Sequence, residues 1–546
     1  MNIPKLRKER TVKKYHDYEL FDDYAYVDQP HNIIEVLQNP ERILPEVRKY
    51  LEENNKLTEE YFKDTKDLQK KLFLEIKSKI KLEDESLKFK DDRYFYWVKT
   101  VKNGNYSKFL RQKIGTPDVE TYFDGDKEKE LSRSKYFGLG SISVSHDDKL
   151  MAYAVDLKGS EYYDIFLRDL ITKKIIEEKI VNTSGSITWN LDSKSFFYTP
   201  LDKYHRSKKI YQHILGKAFK EDKLIFEEKD DSFSVGISLT SDEKFFVISS
   251  SDSNTVEEHF FPSSKNEIKP MLFKVREKGI KYSIDSWKNY WYVHTNKDAM
   301  DYQVLRCDHR NIKKLDVFIA PKKETIIGGF EFLDNYILRS EKSDAIPRLF
   351  IRNISRNDEE ELKVSDEAVG SPGFSLIQKN TNTTKIRISW DSLSTPAKIY
   401  EYDLVTKEKK LVKEIEVPSG HNPEDYLVER IKATAHDGRK IPITLIRRKD
   451  AKLDGKSKIL LYAYGCYKHS VPVSFSAAKF CLVDRGIIFA IAHVRGGGEL
   501  GEKWYLEGKL LNKKNTFKDY ISCAEHLIKN NYTYKGGLAF YGGSAG

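Results

Sequence analysis

The residues with the clearest chemistry are Gly542-Gly543-Ser544-Ala545-Gly546, a G-x-S-x-G pattern directly after the run Leu538-Ala539-Phe540-Tyr541. Placed on a tight strand-to-helix turn, a serine in this pattern exposes its hydroxyl as a nucleophile, and the glycines leave room beside it. Acyl transfer needs that nucleophile, a base to take its proton, and donors for the oxyanion. Ser544 is the candidate nucleophile, in an elbow made by Gly542, Gly543 and Gly546. The N–H of the next residue, Ala545, is the expected first oxyanion donor. A second donor should come from the loop after an earlier strand, a place held by Tyr462-Ala463-Tyr464-Gly465. A tyrosine hydroxyl can donate there, although spacing alone reads Tyr464 as a core or rim aromatic.

No base is evident. His526 falls within a helical pattern and reads as surface. His493 ends an apolar strand before Arg495-Gly496-Gly497-Gly498-Glu499, but in this class of enzyme the histidine follows the serine, so His493 reads as structural. The triad aspartate and histidine are therefore expected to be missing from the chain as given, which reads as a hydrolase cut off within its catalytic machinery. The glycine triplet lacks both the G-K-[ST] ending and the G-x-G-x-x-G spacing of phosphate loops, and no H-E-x-x-H or paired-cysteine spacing points to a metal. No cofactor is expected. Cys466, near the candidate site, reads as buried and inert.

The elements that must position Ser544 follow from periodicity. Strand Ile459–Tyr462, a helical stretch near Phe475 to Val483, strand Ile487–Ala492, a helix from Thr516 to Ile528 and strand Leu538–Tyr541 alternate. That alternation marks a parallel, doubly wound sheet with its site at the strands' carboxyl ends. In the last helix Phe517, Tyr520, Ile521, Ala524, Leu527 and Ile528 fall on one face, with Lys518, Asp519, Ser522 and Glu525 opposite. Upstream, Val428 to Arg448 reads as a hairpin turning at His436-Asp437-Gly438-Arg439, and Pro40 to Ile80 reads as helices.

Between these flanks, strand openings recur at Leu87, Ser141, Ser186, Gly236, Tyr282, Gly328 and Ser375, most followed by a polar turn and a second β-rich run. A period of roughly 45 to 55 residues matches one propeller blade of four strands. The expected architecture is a seven-bladed β-propeller (81–415) between a helical N-terminal segment (1–80) and the first part of an α/β-hydrolase domain (416–546).

Composition excludes several classes. Lysine and arginine total 94 against 84 acids, a net charge of +10, but the signs are interspersed and the basic stretch Lys5 to Lys14 reads as solvated. Nucleic acid is not an expected partner. No apolar core follows Lys5-Leu6-Arg7-Lys8, and apolar runs stay far below the roughly 18 residues of a membrane span. Four scattered cysteines offer no disulfide framework, so a cytoplasmic protein is expected.

The motifs His493-Val494-Arg495-Gly496-Gly497-Gly498-Glu499-Leu500-Gly501, Trp504-Tyr505, Gly508 to Phe517 and Gly542 to Gly546 resemble the prolyl oligopeptidase family, and within it the oligopeptidase B branch. Weaker likeness runs through Ser283 to Ser286, Thr434 to Gly438 and Asp22-Asp23-Tyr24. The resemblance implies a seven-bladed propeller inserted into an α/β-hydrolase domain, and a serine endopeptidase cutting short peptides after arginine or lysine. It carries over Ser544 as nucleophile, with Tyr464 and the Ala545 N–H as oxyanion donors. Ala463 and Cys466 depart from the family pattern. The resemblance also implies that the family's aspartate, histidine and most of its acidic specificity pocket lie beyond position 546. The chain alone is then expected to be inactive, with a second polypeptide as a conceivable complement. The alternative is a non-catalytic remnant, at most a peptide-binding propeller.

Overall fold

The computed structural model describes residues 3–28, 40–176, 178–264 and 267–546. Within the expected N-terminal segment 1–80, positions 1–2 and 29–39 lie outside the described residues. The chain divides into two compact units, residues 1–75 with 125–227, and residues 76–124 with 228–546.

In the first unit, Thr11–Tyr15 pairs antiparallel with Tyr18–Asp22. A helix, Pro45–Tyr61, opens on proline, whose fixed φ suits the first helical position. Its sheet has seven antiparallel strands in chain order, from Gly138–Val144 to Lys223–Glu227. Ala152, Ala154, Ile165, Trp189 and Phe196 form its core.

The second unit holds five four-stranded antiparallel sheets, made by residues 89–124, 234–274, 282–319, 325–362 and 371–414. The inner strands are heavily buried, as in Phe245–Ser251, Tyr290–Thr295 and Tyr336–Ser343. Trp291, fully buried, meets Phe245, Phe260 and Phe273 at ring-centroid distances of 4.7, 4.9 and 5.7 Å. Aromatic area of this kind dominates sheet-to-sheet packing. The first and last of the five sheets are tied by Lys90 N–H to Ile377 O (3.1 Å) and Lys379 N–H to Lys90 O (2.9 Å).

The expectation of seven blades is corrected here: five four-stranded blades form, and the two further blades expected over 138–227 do not separate. Two blades of four need eight strands, and this stretch supplies seven in one sheet. The ten-residue strand Ile180–Trp189 is shared. Its start pairs with Tyr163–Asp169, its end with Ser195–Pro200, and the register breaks around Gly185, which sits at φ +83°. A count of strand openings records a period but cannot see one strand serving two neighbours.

The C-terminal part of this unit is a five-stranded sheet. Its strands are β1 (Tyr426–Thr434), β2 (Lys440–Arg448), β3 (Ile459–Tyr462), β4 (Ile488–Ala492) and β5 (Leu538–Tyr541), in spatial order β1-β2-β4-β3-β5. β1 and β2 form an antiparallel hairpin turning at Gly438, φ +83°. β3 lies parallel to both β4 and β5, in register Tyr462↔Ile491 and Tyr462↔Tyr541. Helix α1 (Lys514–Lys529) packs on it through Cys523 and Leu527, against Ile441, Ile443, Ile459 and Leu461. The buried face of α1 differs from the one read from apolar spacing. Thr516 and Asp519 are buried, whereas Phe517 and Ile521 are 60% and 55% exposed. Asp519 turns inward because it has a buried cationic partner, described below. The stretch near 475–483 contains only a 3-10 turn, Ala477–Lys479, and one α-helical turn, Phe480–Val483.

Candidate active site

β3 and β5 are adjacent and parallel, so the residues just past their carboxyl ends come together. Past β5 the chain turns tightly, with Gly546 N–H donating to Gly543 O at 2.8 Å. Ser544 sits at φ +53°, a left-handed conformation that a non-glycine residue rarely adopts, and it is exposed. Gly542 admits no side chain, since a Cβ there would collide with Gly546 O. A Cβ on Gly546 would lie 2.9 Å from Tyr464 Cδ2 and 3.0 Å from Ala463 O. The elbow therefore seats directly against the loop leaving β3. Gly543 has open space, and its freedom is not sterically required.

On the β3 side, Ala463 is buried in the core of the sheet, so its methyl group is accommodated. Tyr464 is half-buried, its ring edge-on to His469 at 5.4 Å, and among the described residues its hydroxyl has no hydrogen-bond partner. Gly465 adopts φ +69°, and a Cβ there would lie 2.5 Å from Thr516 Cγ2 and 2.7 Å from Val494 Cγ2. Tyr464, Lys513, Phe517, Tyr541, Ala545 and Gly546 share a small cavity of ≈ 90 Å³. The Cys466 thiol, half-buried rather than buried, donates to Ala545 O at 3.4 Å.

Beneath the site lies an ionic network that sequence reasoning missed. Arg495 is 1% exposed and grips Asp519 in two-pronged fashion, Nε to Oδ2 at 2.8 Å and Nη2 to Oδ1 at 2.6 Å. Its Nη1 reaches Asp437 Oδ2 at 2.5 Å. Burial disfavours the charged guanidinium, but hydrogen bonds to Asp519 and Asp437 outweigh it and hold Arg495 above its usual range. Thr516 Oγ1 donates to Arg495 O at 2.7 Å, so the start of α1 and the loop after β4 are locked together. The only signal in sequence was an acid among the polar residues of an amphipathic helix, which ordinarily means solvent.

The two histidines lie where structural roles would put them. His493 is buried, with Nε2 2.9 Å from Thr444 Oγ1, and its Nδ1, 3.7 Å from Glu499, has no hydrogen bond. His526 contacts Asn530 on α1. Among the described residues no imidazole or carboxylate hydrogen-bonds the Ser544 hydroxyl. No group of three or more metal-ligating side chains converges among those residues.

A serine strained into a left-handed turn at the end of a parallel strand, with a tyrosine at the end of the neighbouring strand, defines the α/β-hydrolase class. The comparisons narrow the class. Residues 4–415 match the family description "Prolyl oligopeptidase, N-terminal beta-propeller domain" and residues 473–546 match "Prolyl oligopeptidase family". The chain belongs to the prolyl oligopeptidase family of serine peptidases. It is 33% identical to dipeptidyl aminopeptidase BI of Pseudoxanthomonas mexicana, over 99% of this chain and 75% of that protein. It is 28% identical to protease 2 of Moraxella lacunata, over 100% of this chain and 78% of that protein. Among solved structures, oligopeptidase B from Trypanosoma brucei with covalently bound antipain, in a closed form, superposes with a TM-score of 0.92 at 28% identity. That match covers 100% of this chain and 79% of the other.

Proposed function

We propose that the protein is an oligopeptidase B-like serine endopeptidase that hydrolyses short peptides on the carboxyl side of arginine or lysine. In this reading Ser544 Oγ attacks the scissile carbonyl carbon and gives its proton to a base. The resulting oxyanion is held by the Tyr464 hydroxyl and the Ala545 N–H. Collapse expels the amine and leaves an acyl ester on Ser544, which water then cleaves, regenerating the serine. The reading needs no cofactor. The observation that carries it is the seating of Gly546 on Ala463 and Tyr464, which supports one oxyanion shared by elbow and tyrosine. We further assign 1–80 and 416–546 to the hydrolase domain, with the propeller between them. Four free cysteines suit a reducing cytoplasm, and among the described residues no helix is long and apolar enough to cross a membrane.

A second reading, a non-catalytic peptide-binding remnant, draws support from one observation, the lack of an imidazole or carboxylate bonded to Ser544 among the described residues. The peptidase reading, by contrast, draws its base from a further segment or a second polypeptide. The test is turnover of short fluorogenic peptides ending in arginine by the protein expressed from its own gene, beside Ser544→Ala. Substrates with blocked and with free amino termini are both offered, because one relative is a dipeptidyl aminopeptidase. Cleavage of blocked peptides that vanishes in Ser544→Ala supports the endopeptidase. Cleavage confined to free dipeptidyl amino termini refutes it, and binding without cleavage favours the remnant.

A further inference from the structure

Lys513 is the cation of the candidate site, and no carboxylate lies within ion-pairing distance of it among the described residues. It precedes α1, and its Nζ donates to Gly465 O at 2.7 Å and lies 2.7 Å from Cys466 Sγ. Gly465 is the residue directly after Tyr464. The backbone there is hemmed in by Thr516, Val494 and Arg495, which leave no room even for a Cβ on Gly465, and the Lys513 hydrogen bond adds a polar tether to it. Lys513 itself stands on a fixed base. Asn515 Nδ2 donates to Glu507 O at 2.9 Å and Thr516 Oγ1 to Arg495 O at 2.7 Å. The Tyr464 hydroxyl, by contrast, has no hydrogen-bond partner among the described residues, and its ring meets His469 edge-on at 5.4 Å.

We propose that Lys513 is a positioning residue for the oxyanion site: by pinning the Gly465 carbonyl it fixes the loop that carries Tyr464. This rests on the reading of Tyr464 as an oxyanion donor. A hydroxyl aimed at a transient charge tolerates little displacement, since a misplacement of about 1 Å can cost on the order of a hundredfold in rate. The unpaired ammonium also lines the cavity shared by Tyr464 and Ala545, adding positive potential where negative charge develops.

The experiment is a double-mutant cycle on the protein expressed from its own gene, with kcat and KM measured on one blocked arginine peptide. Lys513→Met is expected to lower kcat by roughly ten- to a hundredfold with KM within about twofold. Lys513→Arg, which keeps a donor and the charge, is expected to recover most of the loss. Combined with Tyr464→Phe, Lys513→Met should cost little beyond Tyr464→Phe alone, because both act on one hydroxyl. Thermal melts of each variant separate misfolding from misplacement, and if Lys513→Met does not fold, Lys513→Gln takes its place in the cycle. An unchanged kcat in Lys513→Met, or fully additive losses in the cycle, overturns the role of Lys513 while leaving the peptidase reading standing. Absence of any Ser544-dependent turnover by the unmutated protein overturns that reading and the inference with it.

Discussion

At the scale of single residues, the site depends on close approach. Tyr464→Phe removes one hydroxyl and is expected to lower kcat by about ten- to a thousandfold with little change in KM, because the oxyanion exists only near the transition state. Steady-state kinetics on one arginine peptide checks this, and a raised KM with kcat unchanged would instead mark a ground-state contact. Gly546→Ala puts a methyl group 2.9 Å from Tyr464 Cδ2 and 3.0 Å from Ala463 O, forcing elbow and loop apart. Activity should fall roughly tenfold or more, while the melting temperature, set mostly by buried cores elsewhere, should move little. Of these residues Ser544 was legible from its own motif, because a nucleophile elbow is a local steric pattern. Tyr464 is proposed as a donor through the family resemblance alone, since spacing cannot tell an oxyanion donor from a packed aromatic. The pinning contact of Lys513 with Gly465 O joins residues 48 positions apart and leaves no local signature.

At the scale of elements, buried charge decides what periodicity alone misassigns. Asp519, fully buried and accepting three hydrogen bonds from Arg495, turns α1 so that two apolar residues face outward. Asp519→Ala leaves a buried guanidinium with Asp437 as its remaining close partner, and is expected to destabilise by about 3–5 kcal/mol, read as a lowered melting temperature. A change below about 1 kcal/mol would mean that water reaches Arg495. In the blade made by 234–274, Glu258 is buried, and desolvation pushes its carboxyl up to about 8 although it accepts a hydrogen bond from Ile284 N–H at 2.6 Å. The folded state thus holds this proton more tightly than the unfolded chain, whose value is 4.5. Stability is full below pH 4.5 and declines as pH rises from there towards 8, by about 1.4 kcal/mol per unit at most. Glu258→Gln cannot titrate. The difference between the two proteins' denaturation free energies should therefore grow across that window in favour of the variant, and a flat difference would contradict the assignment.

At the scale of the whole molecule, the α/β alternation and the repetitive β region were readable because hydrophobic period and turn chemistry recur along the chain. The number of separate blades was not, because the merging of strands over 138–227 is a matter of pairing across Ile180–Trp189, which no period records. The family's membership rests on matches spanning residues 4–415 and 473–546, so the remaining question is chemical. On the proposed reading short peptides are expected to be cut and folded proteins spared, and casein fragments against intact native proteins would check that. The most direct measurement is kcat/KM of the protein expressed from its own gene on two matched blocked peptides, one with arginine and one with proline before the scissile bond, for wild type and Ser544→Ala. The account expects the arginine peptide to be preferred by at least about a hundredfold and Ser544→Ala to lose activity by several orders of magnitude. A preference for proline, or activity that survives in Ser544→Ala, would contradict it.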